Sequence, residues 1–240
     1  MNNGTKYTLL IASGLGIVIT LAVLYRKQVK GSIIGSNAKN SNNSKKKVNM
    51  IPNFDTYTLY DSGGKTVLGT IPEAKYGRYD VIFVWGGMRY ATPSWMMNQI
   101  PKKLFYTHII FLIDYRVNWN EFKPLYDKFM KDKHLANYVN SQSIAGFSAG
   151  GYDVYDAYNQ NYRVVGLIDP STKQSYAKLP FSANTKMVYN DRNWGGYATI
   201  KKALPIVAKA INEKGGEAEQ VNLSHKEIPK YFFSKYVNYF

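Results

Sequence analysis

With 240 residues and 45% hydrophobic content, the chain can bury one sizeable core, and its composition excludes a disordered or fibrous protein. Lys and Arg number 31 against 16 Asp and Glu, a net charge of +15 that suits anionic partners such as lipid headgroups. The charge is spread thinly and no nucleic-acid motif gathers it on one face, which speaks against specific nucleic-acid binding. Cysteine is absent, and with it disulfides, thiolate metal sites and a cysteine nucleophile.

Residues 7–25 are uncharged throughout and approach the ~20 residues that a helix needs to cross a bilayer. Tyr7 and Tyr25 stand at the ends, where interfacial anchors belong, and the segment lacks the polar face of a core helix. A cleaved signal peptide would have a shorter apolar run and a small-residue exit, whereas this one leaves through Val23-Leu24-Tyr25-Arg26. The segment is therefore expected to be an uncleaved single-pass anchor within residues 1–30. Lys6 precedes it and Arg26, Lys27 and Lys30 follow, so the positive-inside rule places the C-terminal domain on the cytoplasmic side. Residues 31–50, mixing Gly, Ser, Asn and Lys without hydrophobic period, read as a flexible tether whose Lys45-Lys46-Lys47 run lies near the membrane.

The folded domain is expected over residues 51–240. Residues 59–66 carry Gly63-Gly64 and read as a hairpin leading into a sheet. Residues 80–85 and 109–113 are apolar runs too short for helices, rich in β-branched residues, as buried strands are. Between them Thr92 and Pro93 form a helix start, as N-cap and first helical residue. Further strands are expected at 143–145, 164–168, 186–189 and 218–223. A helix at 198–214 places Ile200, Leu204, Val207 and Ile211 on one face and stops at Gly215-Gly216, with Pro205 as a kink. The aromatic C-terminus reads as a last helix on the sheet. Alternating strands and helices make an α/β domain with a mostly parallel central sheet flanked by helices.

The motif G-x-S-x-G occurs at Gly146-Phe147-Ser148-Ala149-Gly150, between the apolar strand 143–145 and a helix-compatible stretch. A serine nucleophile placed on such a strained strand-to-helix turn needs small neighbours, and the following helix N-terminus aims the Ala149 N–H at a developing oxyanion. Upstream, the strand 80–85 runs into Gly86-Gly87-Met88, where Gly87 or Met88 can supply the second donor. Over about residues 78–240 the chain thus resembles the α/β-hydrolase superfamily. Its esterases and lipases often open this loop with His, where Trp85 stands here.

That resemblance implies a base on the loop after the final strand, which among His108, His134 and His225 selects His225. It implies an acid at a strand end in the order Ser, Asp, His, which favours Asp191, with Asp169, one strand earlier, as the alternative. It also implies a lid between 168 and 186, but the interval is short and the site is expected to be open, with little or no lid. The expected function is a membrane-anchored serine hydrolase acting on an acyl ester or lipid-like substrate through Ser148, His225 and Asp191, with no cofactor. Each residue has a plainer reading: a tight turn with a solvent-facing serine, a surface loop histidine, an aspartate that caps a helix. The rival for the whole is a catalytically silent scaffold of the same fold, tethered to a cell envelope or viral membrane. No H-E-x-x-H spacing or P-loop points to metal or nucleotide chemistry.

Overall fold

A computed structural model describes residues 53–73 and 77–240. The anchor expected at 7–25 and the tether at 31–50 lie outside these residues. Among the described residues, no helix is long and apolar enough to cross a membrane.

The chain enters with strand β1 (Phe54–Ser62), which turns into β2 (Lys65–Pro72) through Gly63 and Gly64. Both glycines have positive φ, +59° and +72°, the backbone that a two-residue hairpin turn requires at its centre. The expected hairpin at 59–66 is present, with longer arms. β3 (Tyr79–Trp85), β4 (His108–Ile113), β5 (Val139–Phe147), β6 (Val165–Ile168), β7 (Thr185–Tyr189) and β8 (Glu217–Gln220) complete one sheet in the order β1-β2-β4-β3-β5-β6-β7-β8. β2 pairs antiparallel with β4, and from β4 to β8 every pairing is parallel.

Helices cover both faces, so the central strands are apolar on both sides rather than alternating. Val81, Phe83 and Trp85 turn toward one face with Ile109, Phe111 and Phe122, while Ile82 and Val84 turn toward the other with Ile110, Leu112 and Phe147. The first layer holds α3 (Trp119–Asp132), α4 (Gly150–Asp156) and α5 (Ala198–Glu213). The second holds α1 (Pro93–Met97), α2 (Lys102–Phe105) and α6 (Ile228–Tyr236). Starts and stops follow local chemistry. Thr92 caps α1 by accepting from the Trp95 N–H, Asn118 and Glu121 form a reciprocal capping box on α3, and Gly215 (φ +83°) ends α5.

One expectation shifts. The last strand stops at Gln220 instead of 223: Val221 N–H makes a last bond to Tyr189 O (2.9 Å), and the Leu223 carbonyl accepts from the Asn190 side-chain amide (2.9 Å). Between β6 and β7 the chain forms only a 3-10 turn, Gln174–Lys178, and no inserted lid helix, as the short interval led one to expect.

Candidate active site

The C-terminal ends of β3, β5, β6, β7 and β8 lie along one edge of the sheet, and the loops leaving them carry Met88, Ser148, Asp169, Asp191 and His225. Ser148 follows β5 directly. It sits at φ +54°, a left-handed conformation costly for a residue with a Cβ, and its neighbours hold it there. Its N–H donates to Ile168 O (3.1 Å), and its carbonyl accepts from Ser171 N (2.7 Å) and Gly151 N (3.0 Å). The two motif glycines are required by close approach. A Cβ on Gly146 would fall 2.2 Å from Gly150 O, and one on Gly150 would fall 2.4 Å from Gly86 O. The elbow is thus clamped between its own helix and the loop after β3.

That loop lies against the serine. Gly150 N–H donates to Gly86 O (3.1 Å), and a Cβ on Gly87 would come within 2.7 Å of Ser148 Cβ. Of the two expected donors here, Gly87 is already committed, since its N–H bonds Ala91 O (3.2 Å). The amides of Met88 and Ala149 donate to no acceptor among the described residues. Trp85, at the position where the resemblance led one to expect His, is wholly buried, with its indole N–H on Val117 O (2.8 Å).

The three histidines separate by position. His108 begins β4, at the opposite edge of the sheet, where its Nδ1 meets Thr107 Oγ1 (2.7 Å) and burial pulls its pKa down. His134 is exposed in the turn after α3. His225 follows β8 on the same edge as Ser148, and its ring packs on that of Phe147 (centroids 4.5 Å apart).

The acid is where the sequence expectation is corrected. Asp169, not Asp191, meets the imidazole: its Oδ2 lies 2.6 Å from His225 Nδ1. Asp191 lies on the 3-10 turn Asp191–Trp194 and accepts instead from Gln220 Nε2 (2.7 Å). The difference is one of direction. Asp169, wholly buried at the end of β6, adopts φ +38° and turns toward the histidine loop, whereas Asp191 faces the neighbouring strand β8. Asp169 also accepts from Asn190 N (3.0 Å), Asn193 Nδ2 (2.8 Å) and Trp194 Nε1 (3.2 Å). All three partners are donors, so the carboxyl accepts from each of them, and the contact with His225 is made when Nδ1 carries a proton; in the neutral imidazole of that tautomer Nε2 keeps its lone pair.

Sequence reasoning missed Asn193 and Trp194, as well as an aromatic rim above the site. Trp95 stacks on Phe147 (5.8 Å), Tyr90 meets Trp95 edge-on (5.2 Å), and Lys226 Nζ stands 4.7 Å over the Tyr90 ring. Burial, and then the negative charge of Asp169, hold the Tyr90 phenol above its usual pKa. No group of three or more metal-ligating side chains occurs among the described residues.

Neither a family model nor a curated protein sequence matches the chain. Solved structures do. An esterase from Pyrococcus furiosus matches with a TM-score of 0.54 at 12% identity, over 78% of this chain and 91% of its own. A predicted CIB-like hydrolase from Thermoplasma acidophilum matches with a TM-score of 0.51 at 16% identity, over 78% of this chain and 98% of its own. An uncharacterised protein from Capnocytophaga ochracea gives 0.52 at 9% identity, over 78% of this chain and 63% of its own. At such identities the likeness is one of fold, and it agrees with the resemblance drawn from residues 86–88 and 146–150.

Proposed function

We propose that this chain, whose fold is that of the α/β-hydrolases, is a serine hydrolase that cleaves an acyl ester through Ser148, His225 and Asp169. The observation that carries the reading is the 2.6 Å contact between buried Asp169 and His225 Nδ1, on the edge of the sheet where Ser148 sits strained at φ +54°. A surface serine on an ordinary turn gives no reason for such an arrangement.

In this reading His225 Nε2 takes the hydroxyl proton as Ser148 Oγ attacks the acyl carbonyl. The oxyanion rests on the N–H groups of Ala149 and Met88, and His225 then returns the proton to the leaving alcohol. Water, activated by the same imidazole, attacks the acyl-enzyme and releases the acid. Asp169 holds the imidazole in the required tautomer and stabilises the imidazolium. The name of the Pyrococcus furiosus neighbour, an esterase, and the apolar rim of Tyr90, Trp95 and the exposed Met88 support an ester with an apolar portion.

The wild-type protein is expected to label with a fluorophosphonate probe and to hydrolyse short-chain p-nitrophenyl esters, with both lost in Ser148→Ala. A folded wild-type protein that neither labels nor turns over would leave the silent scaffold as the reading. The proposal includes residues 7–25 as a single-pass anchor with the hydrolase domain on the cytoplasmic side, supported by the uncharged run and by Arg26, Lys27 and Lys30 after it. Retention in the membrane pellet after alkaline carbonate extraction, and protection of the domain from protease outside intact cells, would test that part.

A further inference from the structure

We infer that Asn193 and Trp194 are positioning residues that tune the Asp169–His225 pair, so that the turn after β7 supplies hydrogen-bond donors to the acid in place of the acid itself. The catalytic consequence rests on the reading of Ser148 and His225 given above; the effect on the pair does not.

The turn grips both members. Asn193 Nδ2 donates to Asp169 Oδ2 (2.8 Å) and also reaches Leu223 O (3.3 Å), two residues ahead of His225. Asn190 repeats the pattern, with its backbone N–H on Asp169 Oδ1 (3.0 Å) and its side-chain amide on Leu223 O (2.9 Å). Trp194 acts twice with one side chain. Its indole N–H donates to Asp169 Oδ1 (3.2 Å), and its ring packs edge-on against the imidazole (5.2 Å), which meets Phe147 as well. Imidazole and carboxylate are therefore fixed by the same few residues.

The electrostatic effect has a definite sign. The working pair, neutral imidazole with carboxylate, carries one negative charge, and taking up a proton removes it wherever that proton settles. Donors aimed at Asp169 stabilise the charged pair more than the protonated one and lower the pH at which the pair takes up a proton. Other charged or titratable groups on the elements around it are Arg89 and Tyr90 from the loop after β3, Lys173 from the connection after β6, Asp191 and Arg192 from the β7 turn, and Lys226 and Glu227 from the loop after β8. Among the described residues, His225 is the ion-pair partner that Asp169 has. The two side-chain donors are therefore the adjustable part of the environment.

The test uses the full-length protein and the Trp194→Phe, Asn193→Ala and Asp191→Asn variants. The His225 imidazole is titrated by NMR, its signal identified by its loss in His225→Gln, and the pH profile of kcat/KM on a p-nitrophenyl ester is recorded alongside. In Trp194→Phe, which keeps an aromatic ring, and in Asn193→Ala, the imidazole titration is expected to rise by roughly one pH unit. The acid limb of kcat/KM should move with it, lowering the rate about tenfold below the limb. Asp191→Asn, on the same turn but bonded to Gln220, should produce no upward shift. A structural role alone would lower the melting temperature and leave both profiles in place. Folded Trp194→Phe and Asn193→Ala proteins with an unmoved His225 titration would overturn the inference. A shifted titration in a protein that never labels with the probe would support the positioning role and overturn the hydrolase reading.

Discussion

Asp169 shows how much a single residue can be asked to do: it is wholly buried, held at φ +38°, and accepts four hydrogen bonds. Replacing it with Asn keeps the shape but aims an amide at donors and permits the wrong imidazole tautomer. Under the proposed mechanism Asp169→Asn is expected to lower kcat by about 10⁴-fold, the scale of that change in a serine triad, whereas Asp191→Asn should stay within about twofold. Steady-state kinetics on one ester separates the two assignments. Asp153 offers a different test at the same scale. Burial first, then the nearby Asp156 and Glu121 carboxylates, push its pKa up to about 7 from the ordinary 3.8. With the folded pKa above the unfolded one, the folded state binds the proton more tightly. Stability therefore falls as pH rises from about 4 through 7, and stays lower above that. Asp153→Asn removes the titration, so it should raise the melting temperature at pH 8 and change it little at pH 4.

At the scale of elements, the elbow is a crossing of two backbones that leaves no room for a side chain. Gly150→Ala sets a Cβ 2.4 Å from Gly86 O, a backbone atom that cannot rotate away, and should destabilise by about 3 kcal/mol, the upper part of the usual overpacking range. Because the displaced loop carries Met88, probe labelling should fall further than stability alone accounts for. Urea denaturation and labelling on the same samples would show the difference. Asn118→Ala is the contrasting case. It removes the α3 capping box, far along the chain from every site residue, and should cost about 1 kcal/mol with kcat unchanged. Most elements were legible in the sequence because their signals are local: Gly63-Gly64 for the hairpin turn, Thr92-Pro93 for α1, doubly apolar runs for β3 and β4. The end of β8 was not: Val221 N–H still bonds Tyr189 O (2.9 Å), but the Leu223 carbonyl accepts from the Asn190 side-chain amide on another loop, a partner that no local signal shows.

Over the whole molecule, the parallel sheet brings the ends of distant strands together and the two helical layers keep them there. Phe83, packed among Phe111, Phe122, Trp119 and Tyr126, belongs to the layer that fixes β3 and hence the loop of Gly86 to Met88. Phe83→Ala should cost about 3–5 kcal/mol in a chemical denaturation experiment, and its effect on labelling should appear only as the folded fraction falls. The sequence by itself determined the fold class and singled out the two proposed partners: glycine spacing, apolar runs and the order of elements, read locally, pointed to the turn of Ser148, and the family resemblance selected His225 among three histidines. The choice between Asp169 and Asp191 lay beyond that reading, since both end a strand and both precede His225. Asp169 and His225 are 56 residues apart, and which carboxyl reaches the imidazole depends on how β6, β7 and the loop after β8 pack side by side. The same holds for Asn193 and Trp194, whose donors acquire a purpose only when the fold turns them onto a buried charge.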